Sequence, residues 1–132
     1  MPKCNIIDYI NIASTGNAVD FGDLLAANYY VGGCSNGTRG IFTGGIEAAT
    51  SDTIQYVTID TTGNATDFGD LTVARNSNSA VSDGTKGLAG GGYNGSSRVN
   101  TIDYVNIASL GNASDFGDLT RAPTATHACS GD

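Results

Sequence analysis

A chain of 132 residues and 13.4 kDa has room for one modest core and reads as a single domain. Its formal charge of −7, with only six Lys and Arg, excludes a phosphate backbone as the main partner, because nucleic-acid binding is driven by basic side chains that displace counterions. Charged residues make up 14%, and Gly supplies 19 positions against two Pro, a balance that favours tight turns and short strands over helices.

No apolar run approaches the roughly 18 residues of a membrane span, and the start of the chain lacks the basic-then-apolar layout of a signal peptide. A soluble, unprocessed chain is expected. Cys4, Cys34 and Cys129 have no metal-ligand spacing and are odd in number, so they are expected to act as small buried hydrophobes, with no disulfide framework, zinc site or cofactor.

In chain order, the first feature is residues 6–24 (IIDYINIASTGNAVDFGDL), which return as 53–71 (TIQYVTIDTTGNATDFGDL) and 101–119 (TIDYVNIASLGNASDFGDL). Ile7, Ile54 and Ile102 mark periods of 47 and 48 residues. The segment between also repeats: 34–45 (CSNGTRGIFTGG) matches 81–92 (VSDGTKGLAGGG). Near-identity between copies means near-identical surroundings, which a ring or stack of like units provides. The repeat divides a single domain, 1–132, into a partial blade 1–24, blades 25–71 and 72–119, and a partial blade 120–132.

Within one period the turn signals separate four antiparallel strands. In blade 72–119 they are 77–82, then 86–91 after Asp83-Gly84, then 101–108 after the loop opened by Asn94-Gly95, and finally 113–119 after Gly111-Asn112. The third strand is apolar on both faces inside a polar, Gly-rich repeat, so it must be covered on both sides. Four strands in about 47 residues is the size of a propeller blade.

These residues resemble the kelch repeats of β-propellers. Gly44-Gly45 and Gly91-Gly92 match the family's Gly doublet, Tyr9, Tyr56 and Tyr104 its third-strand Tyr, and Phe21, Phe68 and Phe116 stand where it usually has Trp. Leu24, Leu71 and Leu119 keep its spacing, and Ala74-Arg75 sits where the next blade often opens with Pro-Arg. The departures are the absence of Trp and the DFGDL motif. The Gly/Asn/Thr/Ser-rich copies are also similar to repeats in bacteriophage and marine-virus structural or tail proteins. The resemblance implies an all-β, kelch-like propeller, non-enzymatic and virion-associated, that binds a receptor or takes part in assembly. The alternatives are a carbohydrate-binding lectin propeller, or a fragment of a larger kelch-like protein or enzyme.

Aligning the copies leaves one second strand, equivalent to residues 38–47, without a counterpart. Three blades are too few to close a ring. The expectation is a homodimer forming a six-bladed ring, in which the first strand of the last partial blade, 125–130, joins the partner's strands around residues 6–12.

Site chemistry is sparse. With a single His, His127, and no clustered nucleophile, base and carboxylate, no catalytic residues are expected. The paired carboxylates Asp20 and Asp23, Asp67 and Asp70, and Asp115 and Asp118 are weak Ca²⁺ candidates, with a turn-forming role favoured by their recurrence in every copy. Any ligand site, for a glycan or protein receptor, is expected at a mouth of the channel or where the copies differ, with Tyr29 and Tyr30 the candidates for stacking on a sugar ring and buried packing the role favoured for them.

Overall fold

The computed structural model describes residues 2–123 and 127–130. The described chain is all-β, with ten strands in three antiparallel sheets of two, four and four. β1 (Cys4–Tyr9) pairs with β2 (Val19–Asn28). β3 (Gly32–Ser35), β4 (Arg39–Thr43), β5 (Thr53–Thr58) and β6 (Thr66–Asp70) form one meander. β7 (Ser79–Ser82), β8 (Lys86–Gly90), β9 (Thr101–Asn106) and β10 (Ser114–Asp118) form a second. No helix among the described residues is long and apolar enough to cross a membrane.

The four strands expected in 72–119 therefore lie where their turn signals placed them. Part of the strand expected at 125–130 falls outside the described residues, and His127 to Ser130 are not in a strand. The hairpin turns are closed by side chains: Asn36 Oδ1 accepts the Thr38 and Arg39 N–H groups at 3.0 and 2.8 Å, and Asp83 Oδ1 those of Thr85 and Lys86 at 2.8 and 2.7 Å.

The expected architectural residues recur with one geometry. Tyr9 meets Phe21, Tyr56 meets Phe68 and Tyr104 meets Phe116 edge to face, at 5.8, 5.9 and 6.0 Å between ring centres. In the Gly doublets, Gly44 and Gly91 have φ of 65° and 67°, and Gly45 and Gly92 both have 103°. A Cβ on Gly44 would lie 2.2 Å from the Arg75 carbonyl oxygen, so backbone approach forbids a side chain there.

The DFGD segment is a bulged strand and not the turn its Asp-Gly composition suggested. The register of β5 with β6 shifts between Ile54 and Gln55, and that of β9 with β10 between Asp115 and Gly117. The bulge turns backbone groups outward to the following sheet. The Gly63 and Ala65 N–H groups donate to the Phe21 and Asp23 carbonyls, both at 2.8 Å, while Asn64 Oδ1 accepts the Asp23 N–H at 3.0 Å. One repeat later, Gly111 and Ala113 donate to Phe68 and Asp70 at 2.9 and 2.8 Å, and Asn112 Oδ1 accepts the Asp70 N–H at 3.1 Å. At this junction a Cβ on Gly69 would stand 2.3 Å from the Gly111 oxygen.

The core fills these junctions. Ile41, Ile54, Phe68 and Leu71 of the β3–β6 sheet pack with Ala89, Val105 and Ile107 of the β7–β10 sheet. Phe21 packs with Val57 and Ala65 at the junction before. The third strand β5 is thus covered on both faces, as its apolar pattern required, whereas β9 is covered on one face and its Ile102 borders an open groove. Phe116 departs from the pattern: it is 55% exposed, against 8% for Phe21 and 3% for Phe68.

The cysteines also depart from expectation. Cys4 and Cys129 are exposed, because Cys4 sits on a two-stranded sheet with nothing across its outer face and Cys129 in the irregular segment 127–130. Cys34 is half-buried against the core, and desolvation pushes its thiol up to about 11.

Candidate functional site

β3 and β7, the first strands of the two four-stranded sheets, lie beside each other. Between their N-terminal ends opens a cleft of about 440 Å³, lined by residues 30–33, 77–80, His127 and Ala128. Two non-glycine residues flank it with left-handed backbones, Tyr30 at φ 63° and Ser77 at φ 54°. They are equivalent positions of the repeat, and the Ser77 N–H donates to the Tyr30 carbonyl at 3.0 Å. Conformations of this kind each cost about 1–3 kcal/mol and collect at ligand clamps.

Of the two expected ligand residues, Tyr30 alone offers an open ring, being 55% exposed. Tyr29 is half-buried, packs edge to face on Tyr30 with ring centres 4.9 Å apart, and carries the Lys3 ammonium 5.6 Å from its centre. Tyr29 therefore fixes the Tyr30 ring, and Tyr30 faces the cleft.

Asn78, which the sequence reading did not single out, is buried at the same cleft. Its Nδ2 donates to Thr43 Oγ1 at 2.7 Å, while its Oδ1 has no hydrogen-bond partner among the described residues. A buried acceptor without a donor is costly, and this oxygen is turned toward Gly44 and closed off from the cleft itself. The one available signal was that residues 72–79 differ from 25–32 although the segments after them, 81–92 and 34–45, repeat.

The six aspartates of the DFGD motifs are not brought together. Asp20, Asp67, Asp70, Asp115 and Asp118 are exposed and Asp23 is partly so, and no cluster of three or more His, Cys, Asp or Glu able to hold a metal ion occurs among the described residues. Their segment serves the sheet junctions through its backbone, as the outward bonds of Phe21, Asp23, Phe68 and Asp70 show.

The sequence reading matched Arg75 to a recurring motif position but gave it no partner. Arg75 and Asp103, 0% and 1% exposed, form an ion pair at 2.9 Å. Asp103 also accepts the Thr72 N–H at 3.0 Å, and Arg75 donates to the Ala89 carbonyl at 2.9 Å. Burial lowers the Arg75 pKa from its ordinary value, and the charge and hydrogen bond of Asp103 oppose that shift. The pair ties the linker after β6 to β9 and does not line the cleft.

No family model matches the chain, and no curated protein matches its sequence.

Proposed function

We propose that this chain is a non-enzymatic binding module built of propeller blades, of the kind carried by phage or viral structural proteins, and that its ligand is a saccharide held at the cleft between β3 and β7. The observation that carries the reading is the exposed, conformationally constrained Tyr30 ring at that cleft. A sugar ring presents an apolar face that stacks on such an aromatic, and hydroxyls that suit the polar Ser77 and Asn78 lining the same cleft. The repeated polar residues are committed to turns and junctions, which leaves the residues that differ between copies for recognition.

A glycan array followed by calorimetric titration tests this. At least one glycan class should bind above background, and Tyr30→Ala should weaken it about fivefold at an unchanged melting temperature, since losing one stacking contact is worth about 1 kcal/mol. Absence of any glycan signal, or equal affinity of Tyr30→Ala, would overturn the saccharide reading.

A further inference from the structure

The two junctions inside this chain use one set of contacts, and the outermost sheets carry the two halves of a third. On β10 the carbonyls of Phe116 and Asp118 and the Asp118 N–H are equivalent to the groups of Phe68 and Asp70 that bond the next sheet. Among the described residues they have no such partner. Gly117 has φ 144°, close to the 150° and 148° of Gly22 and Gly69, yet a Cβ there would meet nothing within 4 Å. The apolar groove on the same sheet, lined by Val81, Leu88, Ile102 and Leu119 and bordered by the chain's own His127 and Ala128, has about 200 Å³ open, whereas its equivalent between the four-stranded sheets is filled to about 10 Å³.

The complementary half lies on the β1–β2 sheet. Gly16, Asn17 and Ala18 repeat the Gly-Asn-Ala of 63–65 and 111–113, and make no hydrogen bond to another sheet among the described residues. Ile10 and Ile12, equivalent to the junction residues Val105 and Ile107, are 60% and 94% exposed. Asp8, equivalent to Gln55 and Asp103, is exposed, and Thr120-Arg121 follows β10 where Thr72 follows β6.

We infer that a second copy of this chain docks head to tail on the first, its Gly16-Asn17-Ala18 loop bonding Phe116 and Asp118 and its Ile10 and Ile12 covering Phe116 and Leu119. The occupant is specified by continuity with the internal junctions: the surface is shaped for a Gly-Asn-Ala loop preceded by two aliphatic residues, and this chain displays one uncovered. The hydrogen bonding agrees, since Asp8 of the arriving copy is equivalent to Asp103 and would accept the Thr120 N–H as Asp103 accepts that of Thr72. A contact between two different faces is heterologous, so each copy keeps one free face until a ring closes.

Complementation of two face variants tests this, read by light scattering or sedimentation at micromolar concentration. The native chain should associate into species of two or more copies. Ile12→Asp spoils only the loop-bearing face and Phe116→Asp only the receiving face, so each alone should need at least tenfold higher concentration to associate. Their 1:1 mixture should restore one junction and give a capped heterodimer. Ile12 is almost fully exposed, so its variant keeps the fold, which circular dichroism checks. A native chain that stays monomeric, as it would if a flanking segment of a longer chain were the true occupant, overturns the inference. So does a mixture no larger than its components, or an Ile12→Asp variant that associates as the native chain does.

Discussion

The two four-stranded sheets have the same strand order and the same register, yet each ties its preceding linker to its third strand with different chemistry. In the β3–β6 sheet the stitch is neutral: buried Gln55 accepts the Leu25 N–H at 2.8 Å, and Asn28 donates to the Gly44 carbonyl at 3.1 Å. In the β7–β10 sheet the equivalent positions are Asp103 and Arg75, an ion pair beyond the reach of water. What the fold requires is an acceptor for the linker N–H. Charge is a local variation, and an expensive one, because Arg75 Nε and Nη1 are buried without partners and the pair is desolvated.

Breaking the stitches separately sharpens that comparison and should give the largest effect. Asp103→Ala leaves a guanidinium buried without a counter-charge, at a cost of about 3–5 kcal/mol, whereas Gln55→Ala removes a neutral bond at about 1–3 kcal/mol. The double change Arg75→Asn with Asp103→Gln installs the neutral stitch in the second sheet and should recover most of the loss. Urea titration in the Ile12→Asp background, which suppresses association, measures all three. Equal costs for Asp103→Ala and Gln55→Ala would show that charge burial does not distinguish the sheets.

A second contrast lies in what covers each sheet. Phe68 is enclosed by the next sheet and Phe116 is not, although both pack on an equivalent Tyr. In the same background Phe68→Ala should cost about 3–5 kcal/mol and Phe116→Ala less than about 1 kcal/mol. Comparable losses would mean that the Tyr contact, and not the sheet junction, holds the phenylalanine.

The strands were legible because their ends are chemical. Asp83-Gly84 and Gly111-Asn112 stand just outside β8 and β10, and the repeat carries each assignment to its neighbours. The bulge was not, since Asp-Gly reads as a turn and only pairing with β9 shows a Gly at φ 144° inside a strand. Arg75 was out of reach for a similar reason: arginine is expected outside, and its burial depends on Asp103 arriving from a strand 28 residues later. A trace did exist in the paired departures at 28 and 75 and at 55 and 103. At the cleft, Tyr30 stands out in the sequence because it differs between copies, whereas the unpartnered oxygen of Asn78 depends on a hydrogen-bond tally that only coordinates supply.

The hairpin turns give the smallest contrast and the one that pH resolves. Asn36 and Asp83 accept the same pair of backbone N–H groups, but only Asp83 is charged, and the Lys86 N–H bond, followed by that of Thr85, lowers its pKa from the ordinary carboxylate value. A depressed folded-state pKa contributes stability that is present above the unfolded value, about 3.9, and is lost as pH falls through the folded one. Asp83→Asn should therefore match the native chain at pH 7 and be the more stable at pH 3, while Asn36→Asp should match it at pH 7 and be the less stable at pH 3. Comparing each variant with the native chain at the same pH cancels the protonation of the other carboxylates, so the sign of the difference at pH 3 reports this turn alone. Melting curves at the two pH values measure it, and variants that keep the same order at both would show that the turn oxygen's charge is not coupled to folding.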